Sequence, residues 1–227
     1  MNIIEISNLS AFYESRQVFK NLDFVVKEGD YLCIIGENGS GKTTLMKILL
    51  GLGIKHTGTI KLTGFTKREI GWLPQKTQHQ KDFPASVKEV VMSGFDGPGF
   101  FGFKYSRHQK DLAKKNMKLL DIEGIAEKSF SELSGGQQQK VLLCRALCAA
   151  KKVLLLDEAV TGLDDTSSDE LYSLIKKLNN QGLAIVMITH DVKRALADAK
   201  HILSLSENAH FYGKVTDFNM QSKGGVE

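Results

Sequence analysis

The nine residues Gly36-Glu37-Asn38-Gly39-Ser40-Gly41-Lys42-Thr43-Thr44 fit the spacing G-x-x-x-x-G-K-[ST], between an apolar run, Tyr31 to Ile35, and a helical pattern that begins near Gly41. Strand, loop and helix in that order make a phosphate-binding loop. Glycines at 36, 39 and 41 let the backbone fold back with its N–H groups pointing inward, and the helix N-terminus completes a concave anion site. Lys42 is placed to reach the β- and γ-phosphates of a nucleoside triphosphate, and the Thr43 hydroxyl to coordinate Mg²⁺. The competing reading is a chance Gly-rich turn ahead of a helix; flanks this regular argue against it.

Hydrolysis needs more than a phosphate cradle, and further residues could supply it. Val153-Leu154-Leu155-Leu156-Asp157-Glu158 reads as a buried strand ending in two carboxylates. Asp157 would hold Mg²⁺ through water, and Glu158 would accept a proton from the attacking water; paired acids at a strand end also serve as plain helix caps. Leu183 to Thr189 is another buried parallel strand and delivers His190 to the same edge, where an imidazole can sense a γ-phosphate or play a structural part. Gln75, after Pro74, stands at the end of the short strand Ile70 to Leu73, where its amide could meet Mg²⁺ or the attacking water or be an ordinary loop residue. Leu133-Ser134-Gly135-Gly136-Gln137 opens a helix and forms a second anion-accepting site. Two such sites and one nucleotide are a puzzle for a monomer. The puzzle disappears if two copies pair head to tail, each lending this helix end to the other's γ-phosphate.

The elements that must carry these residues follow from periodicity. Ile3 to Leu9 and Val18 to Val26 read as antiparallel strands beside the core, with the turn Lys27-Glu28-Gly29-Asp30 after them. Tyr13 lies between them and could stack on a purine base, or pack as a strand-end aromatic. Leu45, Ile48, Leu49 and Leu52 predict a helix of about three turns, interrupted by Gly53, before Gly58 to Leu62 resumes a strand. Ser86-Val87-Lys88-Glu89 is a capping box for a short helix, and His108 to Leu120 regains helical spacing, so residues 76 to 150 read as a mostly helical insertion. Within it, the four Phe and four Gly of Gly94 to Phe103 either expose aromatic surface to a partner or pack internally. Ser167-Ser168-Asp169-Glu170 predicts a second capping box, for a helix carrying Leu171, Leu174, Ile175 and Leu178. Asp191 to Ala199 is helical, His201 to Leu205 with His210 to Lys214 reads as a closing hairpin, and the tail from Gln221 is expected to fray.

Composition sets the outer bounds. At 227 residues, 42% hydrophobic and 25% charged, the chain can bury a sizeable interior as one large domain or a core with a subdomain. No apolar run approaches the roughly 18 to 20 residues that cross a bilayer, and Met1 to Glu5 has no signal-peptide layout, so a cytoplasmic location is expected. A net charge of +4, with basic residues dispersed, gives no reason to expect a nucleic-acid partner. Cys33, Cys144 and Cys148 include no C-x-x-C pair and read as buried free thiols.

Taken together and in order, the phosphate loop, Gln75, Leu133 to Gln137, Leu154 to Glu158, Gly162-Leu163-Asp164 and His190 resemble the ATP-binding cassette (ABC) ATPase family, over essentially the whole chain. The resemblance implies an α/β fold: a RecA-like P-loop NTPase core of mainly parallel sheet (1–75 and 151–220) with an antiparallel β subdomain, and a helical subdomain (76–150). It implies ATP and Mg²⁺ as ligands, with Tyr13 on the adenine and the whole loop, Gly36, Asn38, Gly39, Ser40, Gly41, Lys42, Thr43 and Thr44, on the phosphates. It also implies that Gln75 links Mg²⁺ to the transporter contact, that Ser134 and Gly136, with Gly135 and Gln137 beside them, bind γ-phosphate across a head-to-tail dimer, and that Asp164 couples the two sites. The partners so implied are a second copy, integral membrane permease subunits and, indirectly, an extracytoplasmic solute-binding protein, with this subunit on the inner face of the membrane. One departure is Ala159, where the family usually has Pro after the catalytic Glu. Asp82 to Val87, Val90 to Gly94 and Phe211 to Lys214 are similar to stretches in ATPase subunits of bacterial zinc, manganese or iron uptake systems; siderophore and cobalamin importer ATPases share related wording. A phosphotransferase with the same loop would have no use for Leu133 to Gln137, and ABC ATPases of DNA or ribosomes would carry a heptad insertion or a second cassette, neither of which is present.

Overall fold

Alternation decides the architecture. The computed structural model of the protein describes residues 1–14, 16–75, 84–95, 105–206 and 210–218. Three strands, β1 (Asn2–Tyr13), β2 (Arg16–Lys27) and β4 (Lys55–Leu62), form an antiparallel sheet in the order β2-β1-β4. A second sheet has the order β5-β6-β7-β3-β8-β9, with β3 (Tyr31–Gly36), β5 (Ile70–Leu73), β6 (Val153–Asp157), β7 (Ala184–Ile188) and β8 (His201–Leu205) parallel and β9 (Phe211–Lys214) antiparallel at the edge. Along β6, Val153 and Leu155 enter one core while Leu154 and Leu156 enter another; along β7, Val186 and Ile188 face the first and Ile185 and Met187 the second. A strand hydrophobic at every position is thus satisfied only with both faces covered.

The antiparallel sheet and helix α1 (Lys42–Leu50) cover one face, through Ile4, Phe24, Leu45 and Ile48. Helices α2 (Val87–Met92), α3 (Arg107–Leu119), α4 (Gly135–Ala149) and α5 (Asp165–Asn180) cover the other, through Val91, Met117, Leu143 and Ile175. Each buried Leu or Ile in these cores contributes about 1.5–3 kcal/mol. Helix α6 (Val192–Asp198) lies between β7 and β8 in sequence. Among the described residues no helix is long and apolar enough to cross a membrane. The three cysteines are buried free thiols.

Several boundaries differ from the sequence expectation, each for a local reason. Helix α1 stops at Leu50, because Gly51 turns left-handed and its N–H closes onto Ile48 and Lys47, two residues before Gly53. Strand β4 begins at Lys55, because Gly58 sits inside it where β1 slips register between Ser7 and Ser10; a Cβ there would meet the Asn8 carbonyl oxygen. Helix α5 begins at Asp165: its cap is Asp164, whose Oδ1 accepts the Ser167 N–H at 2.9 Å, so the expected box at Ser167 and Glu170 lies within the helix. The box at Ser86 and Glu89 forms as expected, and Ser106 and Gln109 make another for α3. Lys76 to Phe83, most of the Phe- and Gly-rich segment and the tail from Gln221 lie outside the described residues.

Candidate functional site

The sheet order assembles the site. Strands β5, β6, β7 and β3 are consecutive neighbours and parallel, so Gln75, Asp157 with Glu158, His190 and the phosphate loop all leave the same edge, where open α/β sheets bind ligands. The loop runs from the end of β3 into α1 with Gly36, Gly39 and Gly41 at φ of 152°, 85° and 96°. Two of these glycines also have no room for a side chain. A Cβ on Gly36 would lie 2.3 Å from the Leu205 carbonyl oxygen, and one on Gly41 would lie 2.6 Å from Val18 and 2.8 Å from Phe19. Gly36→Ala should therefore lower stability by about 2 kcal/mol or more, combining backbone strain and a clash with backbone, as read by urea unfolding.

The Lys42 ammonium donates to the carbonyls of Gly36 and Glu37, both at 2.8 Å. Burial lowers its pKa, and the Glu158 and Asp157 carboxylates oppose that shift. Thr43 hydrogen-bonds Asp157, which is 2% exposed; desolvation raises the Asp157 carboxyl above its ordinary range despite that bond. Buried polar atoms are normally paired, yet Asp157 Oδ1 and Ser40 Oγ have no partner among the described residues. A Thr hydroxyl beside a buried carboxylate with a spare oxygen is the hard-oxygen donor set that suits Mg²⁺.

Glu158 adopts a left-handed φ of 51°, uncommon for a residue with a long side chain. That turn carries its carboxylate clear of the sheet: Oε2 accepts from Gln75 Nε2 at 2.8 Å, and Oε1 lies 2.8 Å from His190 Nε2. A cleft of about 790 Å³ is lined by Tyr13, Arg16 to Lys20, Asn38, Gly39, Gly41 to Thr44, Gln75 and Glu158. Tyr13, at the tip of the β1–β2 hairpin, is 46% exposed, which disposes of the core-packing alternative.

Ser134 to Gln137 and Asp164 are absent from that lining. They gather elsewhere on the protomer. Ser134 caps α4, exchanging hydrogen bonds with Gln137 at 3.1 and 3.3 Å. A Cβ on Gly136 would lie 2.7 Å from the Ser167 hydroxyl, which itself donates to Asp164 at 2.8 Å, so the starts of α4 and α5 meet. Gly135 stands exposed in the first turn of α4. Sequence reasoning missed Gln139. Its Nε2 donates to the Ala159 carbonyl at 2.6 Å, joining α4 to the turn after Glu158; its place beside the buried face of α4 was the available signal.

A glycine-lined loop entering a helix, a parallel sheet and two acids at the end of a strand one removed from the loop's own define a P-loop nucleotide-binding protein. The ABC transporter family model matches residues 19–161, and the chain belongs to that family, as an ATP-binding subunit with ATPase activity. It is 34% identical to the manganese transport system ATP-binding protein MntB of Halalkalibacterium halodurans, over 95% of this chain and 87% of that one. It is 32% identical to the zinc uptake system ATP-binding protein ZurA of Listeria innocua, at the same two coverages. A putative metal-chelate type ABC transporter in an inward-facing conformation superposes with a TM-score of 0.84 at 29% identity, covering 96% of this chain and 85% of that one.

Proposed function

We propose that two copies of this chain close head to tail around two ATP molecules, and that hydrolysis reopens them to drive import of a transition metal ion, zinc or manganese, through separate membrane permease subunits. The observation that carries this reading is the separation of half-sites: Tyr13, the loop, Gln75 and Glu158 share one cleft, while Ser134 to Gln137 and Asp164 lie outside it on the same protomer. The second helix terminus, an anion site by its free N–H groups, then serves the γ-phosphate held by the other copy. ATP closes the pair because its γ-phosphate touches both copies, a differential contact that ADP lacks.

Within one protomer the residues divide the work. Tyr13 offers its exposed ring to the adenine, and Gly36 to Thr44 wrap the phosphates with backbone N–H groups while Lys42 supplies a cation. Thr43 and Asp157, with Gln75 nearby, are the groups that would hold Mg²⁺, which when bound would offset the charge that builds on the phosphates. Glu158 takes the proton of the attacking water, oriented from both sides by Gln75 and His190. Helices α2, α3 and α4 carry the motion to the permease, with Gln75 at the strand end that leads toward them and Asp164 at the contact between copies. The subunit sits on the inner face of the membrane, and an extracytoplasmic binding protein delivers the ion.

Metal as cargo is supported by the names of the manganese and zinc system relatives, and copurification with the permease should give ATPase activity stimulated by zinc or manganese. The likeness to a metal-chelate type transporter favours a siderophore or cobalamin cargo as the second reading, which stimulation by a chelate but no free ion would select. Head-to-tail closure is tested by mixing. Ser134→Phe should abolish turnover without changing ATP binding by more than about twofold, since that helix end belongs to the other site. Added to an inactive Lys42→Ala preparation, it should regain activity, because the mixed pair contains one composite site with both halves intact; a mixture that stays inert would defeat the pairing.

A further inference from the structure

The contact between α4 and the turn after Glu158 joins two half-sites that work on different nucleotides. Gln139 is in the second turn of α4, five residues beyond its Ser134 cap, and is 2% exposed. Its amide Nε2 donates to the main-chain carbonyl of Ala159 at 2.6 Å, and its Oε1 is buried with no partner among the described residues. Because a carbonyl can only accept, the NH₂ end of the amide must face Ala159, and the orientation of Gln139 is thereby fixed. Ala159 itself is fully buried. The residue before it, Glu158, holds φ of 51°, a conformation that a non-glycine residue keeps only where its surroundings impose it. The rest of the turn is held by Glu158 N–H on the Ile188 carbonyl at 3.0 Å and Thr161 N–H on the Glu158 carbonyl at 3.1 Å. Gln139 reaches this turn from α4.

We infer that Gln139 is a positioning residue: by pinning the Ala159 carbonyl it keeps Glu158 in its left-handed turn, and so ties the aim of this copy's proton acceptor to the seating of α4 against the other copy's nucleotide. The inference rests on the head-to-tail reading above. Its chemistry is short-range and sterically definite. A shift of α4 carries Gln139 with it, the 2.6 Å bond transmits the shift to Ala159, and the carboxylate one residue earlier moves against Gln75 and His190. Misplacement of a catalytic group by about 1 Å can cost roughly 10²-fold in rate.

Two substitutions in the full chain separate positioning from packing. Gln139→Met keeps the volume and removes the donor: kcat should fall about 10- to 100-fold, with KM and ATP affinity, the latter measured in a Glu158→Gln background, within about twofold of their controls. Gln139→Glu replaces the amide by a group that can donate only when protonated. Burial against a carbonyl oxygen raises its pKa, so its kcat relative to the unsubstituted chain should climb as pH is lowered from 8 to 6. If Gln139 merely fills space, both variants lose thermal stability, yet kcat per nucleotide-binding site stays at the original value and the Gln139→Glu ratio is flat with pH; that result overturns the inference. Should Gln139→Met fail to fold, the pH profile of Gln139→Glu decides alone. Failure of the underlying head-to-tail reading looks different, for then the mixture of Ser134→Phe and Lys42→Ala chains stays inert even with Gln139 intact.

Discussion

Glu158→Gln should reduce ATP turnover about 10³-fold while ATP still binds, the range expected when a general base is removed. The substitution is well suited to this site because both neighbours of Glu158 are ambivalent. Oε2 accepts from the Gln75 amide and Oε1 meets His190 Nε2, each at 2.8 Å. A glutamine at 158 presents one oxygen and one NH₂; Gln75 can turn its amide and His190 can change tautomer, so both hydrogen bonds survive and only the basic carboxylate is lost. The cleft's shape and the Lys42 cation are untouched. Since the proposed dimer opens only after hydrolysis, the variant should accumulate as an ATP-bound pair, visible as a doubling of mass by light scattering that ADP does not produce. Glu158→Ala is the informative contrast: it removes the two side-chain contacts together with the base, so loss of order at Gln75 and His190 should accompany the loss of rate. Rapid hydrolysis by Glu158→Gln would mean that the proton goes elsewhere, and the role given to the strand-end carboxylate would have to be withdrawn.

Much of this arrangement is legible in the sequence, and the parts that are not share a cause. The phosphate loop, the buried strand into Asp157 and Glu158, and the helix opened by Ser134 are local patterns, in which a few neighbouring residues impose one backbone geometry. The strand before His190 and the antiparallel pair at the N-terminus are equally local. Where two signals compete within a few residues, sequence alone chose wrongly. Gly51 and Gly53 both could end α1, and only the closing hydrogen bonds of Gly51 decide; Asp164 and Ser167 both could cap α5, and the Asp carboxylate, accepting the Ser167 N–H, excludes the later start. The partners in non-local contacts are not written in any local pattern. That the amide of Gln139 meets the carbonyl of Ala159, or that Leu205 leaves no space beside Gly36, depends on sheet order and helix docking rather than on spacing along the chain. The exposure of Tyr13 belongs with these, since only the hairpin's placement over the cleft resolves a ring that periodicity left between base and core.

Lys42→Ala should weaken ATP binding by about 100-fold, because two charge-assisted hydrogen bonds to phosphate oxygens, at roughly 1.5 kcal/mol each as a lower figure, amount to about 3 kcal/mol. The geometry explains why the lysine cannot be replaced by charge elsewhere. Its ammonium is held inside the loop by the carbonyls of Gly36 and Glu37, with Asp157 and Glu158 close enough to oppose the lowering of its pKa by burial. Deleting it therefore removes a side-chain cation from between two carboxylates and a polyanion, which adds repulsion to the lost attraction. The same variant without nucleotide should change little in stability: the loop lines an open cleft, so water can take over the two carbonyls. Equilibrium binding of ATP and ADP, compared with urea unfolding of the nucleotide-free protein, distinguishes a phosphate-binding lysine from a loop-bracing one. A bracing role predicts a stability loss comparable to the binding loss and equal weakening of both nucleotides. A phosphate role predicts the larger penalty for ATP, whose γ-phosphate is the group this cation is placed to meet, and unaltered affinity for either nucleotide would refute the loop as the binding element.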